Sequence, residues 1–400
     1  MKNPVISLGL STPGIFIMRH FSKYGIAAYG LDSDPHEIGF HSRFGIKKVC
    51  PDPEINSRDF LDYLIKMRKD FELKPVLIPS SDKFVLPLND FASELSEHYY
   101  FTMPEDGLLR KLTSKRYSYE LAVKYGFPAP KTCFASNKDS LQKFVNETEF
   151  PCILKPEFPE SWRAGFLEEF CKGEKVIVVN TAEEIFEKYE TISRYDDRVI
   201  VQEIIPGNDS MLHYFVSYMD RNGNCLGSFT GIKERIAPIH FGSASYVNLV
   251  YDEKLKNMSL RWLKDMRFWG LSGVEVKKDK RDNEYKLIEV NPRFGLWDET
   301  GSKFGIDVAM MCYKELLGEH PVPVENKDIN MRWISLHRDI RSSVEYVQKG
   351  IIPLPEIIKS YFRWPIYIGD MRWNDPKLVM HLLKNLLRGI KRRLFNKSAN

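Results

Sequence analysis

The sequence predicts a mixed α/β and α+β protein: a doubly wound N-terminal domain, an α+β middle, and a C-terminal stretch of different character. Three observations carry this. The chain opens on a strand–turn–helix–strand pattern, its middle contains two hairpin patterns, and its end is rich in aromatic and basic residues. At 400 residues it exceeds what one compact core usually holds, so two or three units are expected.

The opening supports a parallel α/β sheet. "PVISLGL" (4–10) reads as a buried strand, "STPG" as a turn and "IFIMRHFSKYG" (15–25) as a helix stopped at a glycine. "IAAYGLDSD" and "KPVLIPSSD" read as further strands running into polar loops. The turn "GLSTPG" lacks the G-x-G-x-x-G spacing of a dinucleotide fingerprint. From "KLTSKRYSYELAVKYGFPAPKT" (111–132) a helix leads to a Gly-Phe-Pro turn, and the strands "FPCILKP", "KVIVVN" and "RVIVQEIIPG" follow. Hairpins are predicted around Asn222-Gly223 and over 273–293. The tail ends in "PKLVMHLLKNLLRGIKRRLFNK", an amphipathic basic helix that reads as a packed helix with a solvated basic face; contact with an anionic membrane surface is the alternative.

Composition excludes several classes. The net charge of +4, from 58 basic and 54 acidic residues, gives no case for nucleic acid. No run approaches the ~18 apolar residues of a membrane span, and the first residues lack a signal-peptide pattern. The six cysteines are scattered without a CxxC pair, which argues for reduced thiols and a cytoplasmic setting. His213, His240 and His337 form no cluster, and neither a P-loop nor a G-x-S-x-G elbow is present.

One constellation carries chemistry. In "KLIEVNPRFG", Glu289, Asn291 and Arg293 alternate along a strand and so share a face. Glu275 stands on the preceding strand of the same predicted hairpin. Two carboxylates and an amide oxygen suit Mg²⁺ bound together with substrate phosphates. Arg293 adds a planar fork for a phosphoryl oxygen.

With these residues the chain resembles the ATP-grasp superfamily, in particular its carbamoyl-phosphate-synthase-like and carboxylate–amine ligase branches, near the D-aspartate-ligase-like group. The resemblance covers roughly residues 1–320. It implies a pre-ATP-grasp, Rossmann-like domain over 1–105, two ATP-grasp subdomains over 106–200 and 201–325, and a C-terminal extension over 326–400. It also implies ATP and Mg²⁺, with Mn²⁺ admissible, and metal binding by Glu275, Glu289 and Asn291. Lys115 and Lys155 match the family's two phosphate lysines, although Ser114 stands where the family usually has aspartate. "VIVQEIIPGND" resembles the hinge that holds adenine: Gln202, Glu203, Ile204 and Ile205 at the base, with Asp209 on a ribose hydroxyl. Arg235, Lys233 and Arg293 are the expected catalytic cations, Arg235 ahead of Lys233. Trp297 and Asp298 are placed at an acceptor pocket by their nearness in sequence. The loop 156–175 has few glycines, which assigns phosphate cover to Arg163, Lys172 or Lys175 instead of backbone amides.

The activity so implied is carboxylate–amine ligation through an acyl phosphate, releasing ADP and phosphate. A kinase-like phosphotransferase and a non-catalytic ATP-binding regulator are the alternatives. The expected partners are a small carboxylate and a small amine, such as an amino acid and an envelope precursor. A homodimer and peripheral membrane association remain open.

Overall fold

The computed structural model describes residues 1–104, 107–157, 159–162, 165–172, 174 and 176–396, with side chains described except at 159, 160 and 389–396. Arg163 and Lys175 lie outside the described residues.

The N-terminal sheet is parallel: β1 (Val5–Leu8), β2 (Ala28–Asp32), β3 (Ile46–Val49) and β4 (Val76–Pro79), in the order β3-β2-β1-β4. The chain winds outward from β1 to β3 and returns to the other side of β1 with β4. That reversal opens a crevice at the strand C-termini, where open α/β sheets bind ligands. The helix Thr12–Lys23 begins with Pro13, whose missing N–H costs nothing in a first turn. Its Phe16, Ile17, Met18 and Phe21 are buried.

A second, antiparallel sheet combines β5 (Thr132–Ala135), β6 (Cys152–Pro156), β7 (Ile177–Val179) and β8 (Val199–Glu203) in the order β5-β8-β6-β7. Leu141 and Phe144 of one helix and Ile185, Tyr189 and Ile192 of another pack with Cys133, Leu154 and Val201 to form its core.

The third sheet has seven strands: β9 (Leu212–Met219), β10 (Cys225–Ala237), β11 (Ser243–Val250), β12 (Gly270–Lys278), β13 (Tyr285–Asn291), β14 (Asn330–Ile334) and β15 (Ile366–Ile368). They run in the order β13-β12-β9-β10-β11-β14-β15. Both expected hairpins form. β9 and β10 meet around Gly223, which takes a left-handed φ of 79°, and β12 pairs with β13.

The tail is not an appendage, and the sheet does not break at residue 325. β14 pairs with β11 and β15 with β14, so residues 330–368 complete the large sheet. Asp375 accepts bonds from the Ser42 hydroxyl (2.6 Å) and the Arg43 N–H (2.9 Å), tying the tail to the N-terminal domain. The helix Pro376–Asn396 seats Leu378 and Leu382 on Ile15. The same helix leaves Met380 and Leu387 exposed. Among the described residues no helix is long and apolar enough to cross a membrane. All six cysteines are free thiols, and only Cys225 is less than fully buried.

Candidate active site

Antiparallel register builds the centre of the site. Glu275 on β12 stands directly opposite Glu289 on β13, and opposite Tyr214 on β9. A row of side chains thus crosses three strands on one face. The alternation along β13 continues it: Asn291 Nδ2 donates to Glu289 Oε1 (2.9 Å), and Arg293 Nη2 donates to Asn291 Oδ1 (3.0 Å). Glu289 is exposed, whereas Glu275 is buried. Burial pushes the Glu275 pKa up; Lys233, in ion-pair contact, opposes the rise, and Glu289 adds to it. Gly273 is the same-face neighbour of Glu275, and its lack of a side chain is required. A Cβ there would lie 1.7 Å from the Tyr214 hydroxyl.

Two lysines face this row from other elements. Lys115 opens the helix Lys115–Lys124, capped by the Ser114 side chain, and its Nζ lies 3.4 Å from the Pro156 carbonyl. Lys155 is buried on β6, where Nζ donates to Gln202 Oε1 (2.8 Å) and Tyr119 Oη (3.2 Å). Desolvation lowers its pKa to about 8, with Glu289 opposing. Tyr119 escaped the sequence reading. It lies one helical turn after Lys115, and its hydroxyl also donates to the Ile288 carbonyl (2.8 Å). A cavity of about 430 Å³ opens between Asp82 of the N-terminal domain, Lys115 and Tyr119, and Glu289 and Asn291. A larger one of about 590 Å³ lies near the start of β4, between Lys74, Trp269 and Glu315. None of the expected site residues lines it.

Several expected residues stand elsewhere. Arg235 does not join Lys233 at the row. β10 is irregular on both sides of Arg235, and the guanidinium turns under the helix Leu336–Gln348. There Nε and Nη2 bind Asp339 (2.9 and 2.7 Å) and Nη1 binds the Ser360 hydroxyl (3.0 Å). Asp209 Oδ2 accepts from the Tyr346 hydroxyl (2.5 Å) and the His240 N–H (3.1 Å). The Ile204 N–H donates to the Pro151 carbonyl (3.2 Å), and the Glu203 N–H to that of Lys131 (3.0 Å). These two hinge amides are therefore already paired with backbone carbonyls. The Glu203 side chain is held by the Lys131 N–H and Arg281, each at 2.9 Å. Ile205 is buried. Trp297 is core: it packs on Tyr214 and Phe229 rather than lining a pocket. Asp298 is buried beside it, with Oδ2 accepting the Gly295 N–H (2.6 Å) and burial raising its pKa to about 7. Lys172 is exposed on the loop, at a φ of 53°.

The donor set suits a divalent cation shared with phosphates. Two carboxylates and one amide oxygen offer hard oxygen ligands from one face and leave further positions for water and phosphoryl oxygens. Among the described residues no cluster of three or more His, Cys, Asp or Glu forms an all-protein metal cage.

No family model matches the chain. It is 27% identical over 251 residues to the D-aspartate ligase of Enterococcus faecium, a match covering 59% of this chain and 58% of that protein. The structure superposes on N5-carboxyaminoimidazole ribonucleotide synthetase from Thermus thermophilus with a TM-score of 0.59 at 14% identity, over 82% of this chain and 81% of the other. It also superposes, with a TM-score of 0.62 at 15% identity, on the biotin carboxylase domain of the Hydrogenobacter thermophilus 2-oxoglutarate carboxylase, solved with MgADP, ADP and bicarbonate. That match covers 82% of this chain and 73% of the other. With the parallel domain, the four-stranded sheet bearing Lys155 and the Glu275–Glu289 row in this arrangement, the chain has the ATP-grasp fold.

Proposed function

We propose that this protein is an ATP- and Mg²⁺-dependent carboxylate–amine ligase. The observation that carries the reading is the cross-strand Glu275–Glu289 pair, with Lys233 paired to Glu275, Arg293 bonded to Asn291, Lys115 lining the same cavity as Glu289 and Asn291, and Lys155 bonded to Tyr119 in that cavity's wall. Mg·ATP bound there supplies an electrophilic γ-phosphoryl group. Glu275, Glu289 and Asn291 hold the cation, and Lys115 and Lys155 neutralise phosphate oxygens. Lys233, released from Glu275, and Arg293 orient the oxyanions of the reacting carboxylate and phosphoryl group. The carboxylate oxygen bonds to the γ-phosphorus as the bond to ADP breaks. The amine then bonds to the acyl carbon, phosphate departs, and the amine's proton passes to solvent.

The match to a D-aspartate ligase supports an amino acid as the carboxylate, with an amine on a larger acceptor. The test is ADP and phosphate release by the purified chain with Mg·ATP, across D- and L-amino acids and candidate amines, beside a Glu289→Gln control. Release that needs one carboxylate and one amine, and disappears in the control, supports the reading. Nucleotide hydrolysis indifferent to both substrates, or undiminished in the control, refutes it. Phosphorylated product accumulating without amine would identify a phosphotransferase instead.

A further inference from the structure

Arg293, the cation at the end of the metal row, already holds an anion. Asp82 reaches across from the N-terminal domain and grips its guanidinium with both carboxylate oxygens, at 2.6 Å to Nε and 2.9 Å to Nη2. The two ends differ in exposure. The Arg293 side chain is 18% exposed, whereas that of Asp82 is 62% exposed and borders the 430 Å³ cavity. Arg293 is thus mostly buried behind Asn291, and Asp82, at the cavity, leans on it from solvent.

The backbones carrying the pair are fixed. The Phe294 N–H donates to the Pro79 carbonyl (3.1 Å), which ties the end of β13 to the strand preceding Asp82. Lys83, the next residue, binds Asp32 (2.6 Å) and the Ser33 hydroxyl (2.8 Å), and Phe84 is fully buried. Only the Asp82 side chain can leave without moving an element. A half-solvated carboxylate does so cheaply, because water replaces its lost partner. A guanidinium fork that fits a carboxylate with two parallel bonds fits two phosphoryl oxygens equally well.

We propose that Asp82 is a resident counter-anion: it holds the guanidinium of Arg293 in position and must be displaced by the phosphoryl or carboxylate oxygens of the incoming substrate. Asp82 is therefore a positioning residue that sets how strongly an anion must bind to capture Arg293. The proposal rests on the reading of the cavity as a nucleotide site. Two consequences follow from its charge. Removing the Asp82 carboxylate strengthens anion binding, opposite to the effect of losing a ligand-contacting residue. The gain disappears when Arg293 is absent.

The test is equilibrium titration of the full chain with a fluorescent ATP analogue, mant-ATP, in Mg²⁺. Wild type, Asp82→Asn, Asp82→Ala, Arg293→Ala and the Asp82→Asn/Arg293→Ala double variant are compared, with inorganic phosphate as competitor. Melting temperatures confirm that each variant is folded. Both Asp82 variants are expected to bind mant-ATP roughly threefold to tenfold tighter, matching the modest worth of a partly exposed ion pair. Phosphate should compete better in the same two variants. In the Arg293→Ala background the Asp82 substitution is expected to change nothing. Unchanged or weaker binding in both folded Asp82 variants overturns the proposal, as does a gain that persists without Arg293. If wild type and every variant fail to bind mant-ATP, the nucleotide reading falls and takes the proposal with it; binding by wild type without the gain removes the proposal alone.

Discussion

Replacing Arg235 by methionine is expected to damage stability and leave the chemistry of the folded protein intact. The guanidinium is 3% exposed, and its Asp339 partner is fully buried. After substitution, Asp339 keeps the Ser245 hydroxyl (2.8 Å) and the Tyr361 hydroxyl (2.7 Å), but its charge has no cation. Breaking one side of a buried pair costs about 3–5 kcal/mol. At roughly 2–4 °C per kcal/mol, the melting temperature of the unit holding the large sheet should fall by roughly 6–20 °C. Methionine keeps an apolar stem of similar length but loses the guanidinium stacked 4.2 Å over the Tyr246 ring, so the loss reports the cation more than the stem's volume. The assay is thermal unfolding followed by circular dichroism, beside Asp339→Leu and the double variant. The double variant should recover much of the loss, because a buried pair exchanged for apolar groups leaves no orphaned charge. Residual folded Arg235→Met protein at low temperature should bind mant-ATP and turn over within about threefold of wild type. A melting temperature within a degree of wild type would refute the burial argument. A stable variant that binds nucleotide but is inert would return Arg235 to the reaction.

Three further outcomes are expected. Lys155 releases its proton near pH 8 when folded, against 10.5 in an unfolded chain, so the unfolded state holds more protons between these values. Stability should therefore rise with pH across that window, while nucleotide affinity should fall above about pH 8 as the cation is lost; mant-ATP titrations from pH 6.5 to 9.5 check this, with Lys155→Met expected to be flat. Gly273→Ala should push the Tyr214 hydroxyl off the row and cut turnover at least tenfold, because a Cβ there lies 1.7 Å from that oxygen; a crystal structure and the rate together decide it. Ending the chain at residue 325 should give protein that melts without a cooperative transition, since it exposes the β11 edge and removes Asp339; retained cooperative unfolding would contradict that.

The row of Glu275, Glu289, Asn291 and Arg293 was legible because strand alternation is local. Glu289, Asn291 and Arg293 share a face by period alone, and the polar turn between two alternating strands announced the hairpin that brings Glu275 to Glu289. Lys233 and Arg235 also stand two apart, but the irregularities on either side of Arg235 break the period, and no pattern in "GIKERIAP" marks a bulge. The contacts of Asp209 were not legible because Tyr346, which binds its carboxylate, comes 137 residues later in the chain. Asp82 was missed for the same kind of reason: its partner is 211 residues away, and a "PSSD" strand end looks like any polar loop. Trp297 follows Arg293 closely in sequence, yet Gly231 leaves the space into which its ring packs, and that space is invisible in one dimension.

The order in which the chain is made bears on the tail. Arg19, on the first helix, is fully buried only because the Gly369 carbonyl (3.2 Å) and Asp375 arrive some 350 residues later. Ser42 and Arg43 wait on the same aspartate. During synthesis the parallel domain and both walls of the cleft emerge first, with a stranded interior guanidinium and an open β11 edge. A chain that ends between residues 293 and 375 therefore carries Glu275, Glu289, Asn291 and Arg293 but cannot yet lock its first helix. Such a nascent chain is an expected client for chaperones, and truncated translation products should be cleared quickly.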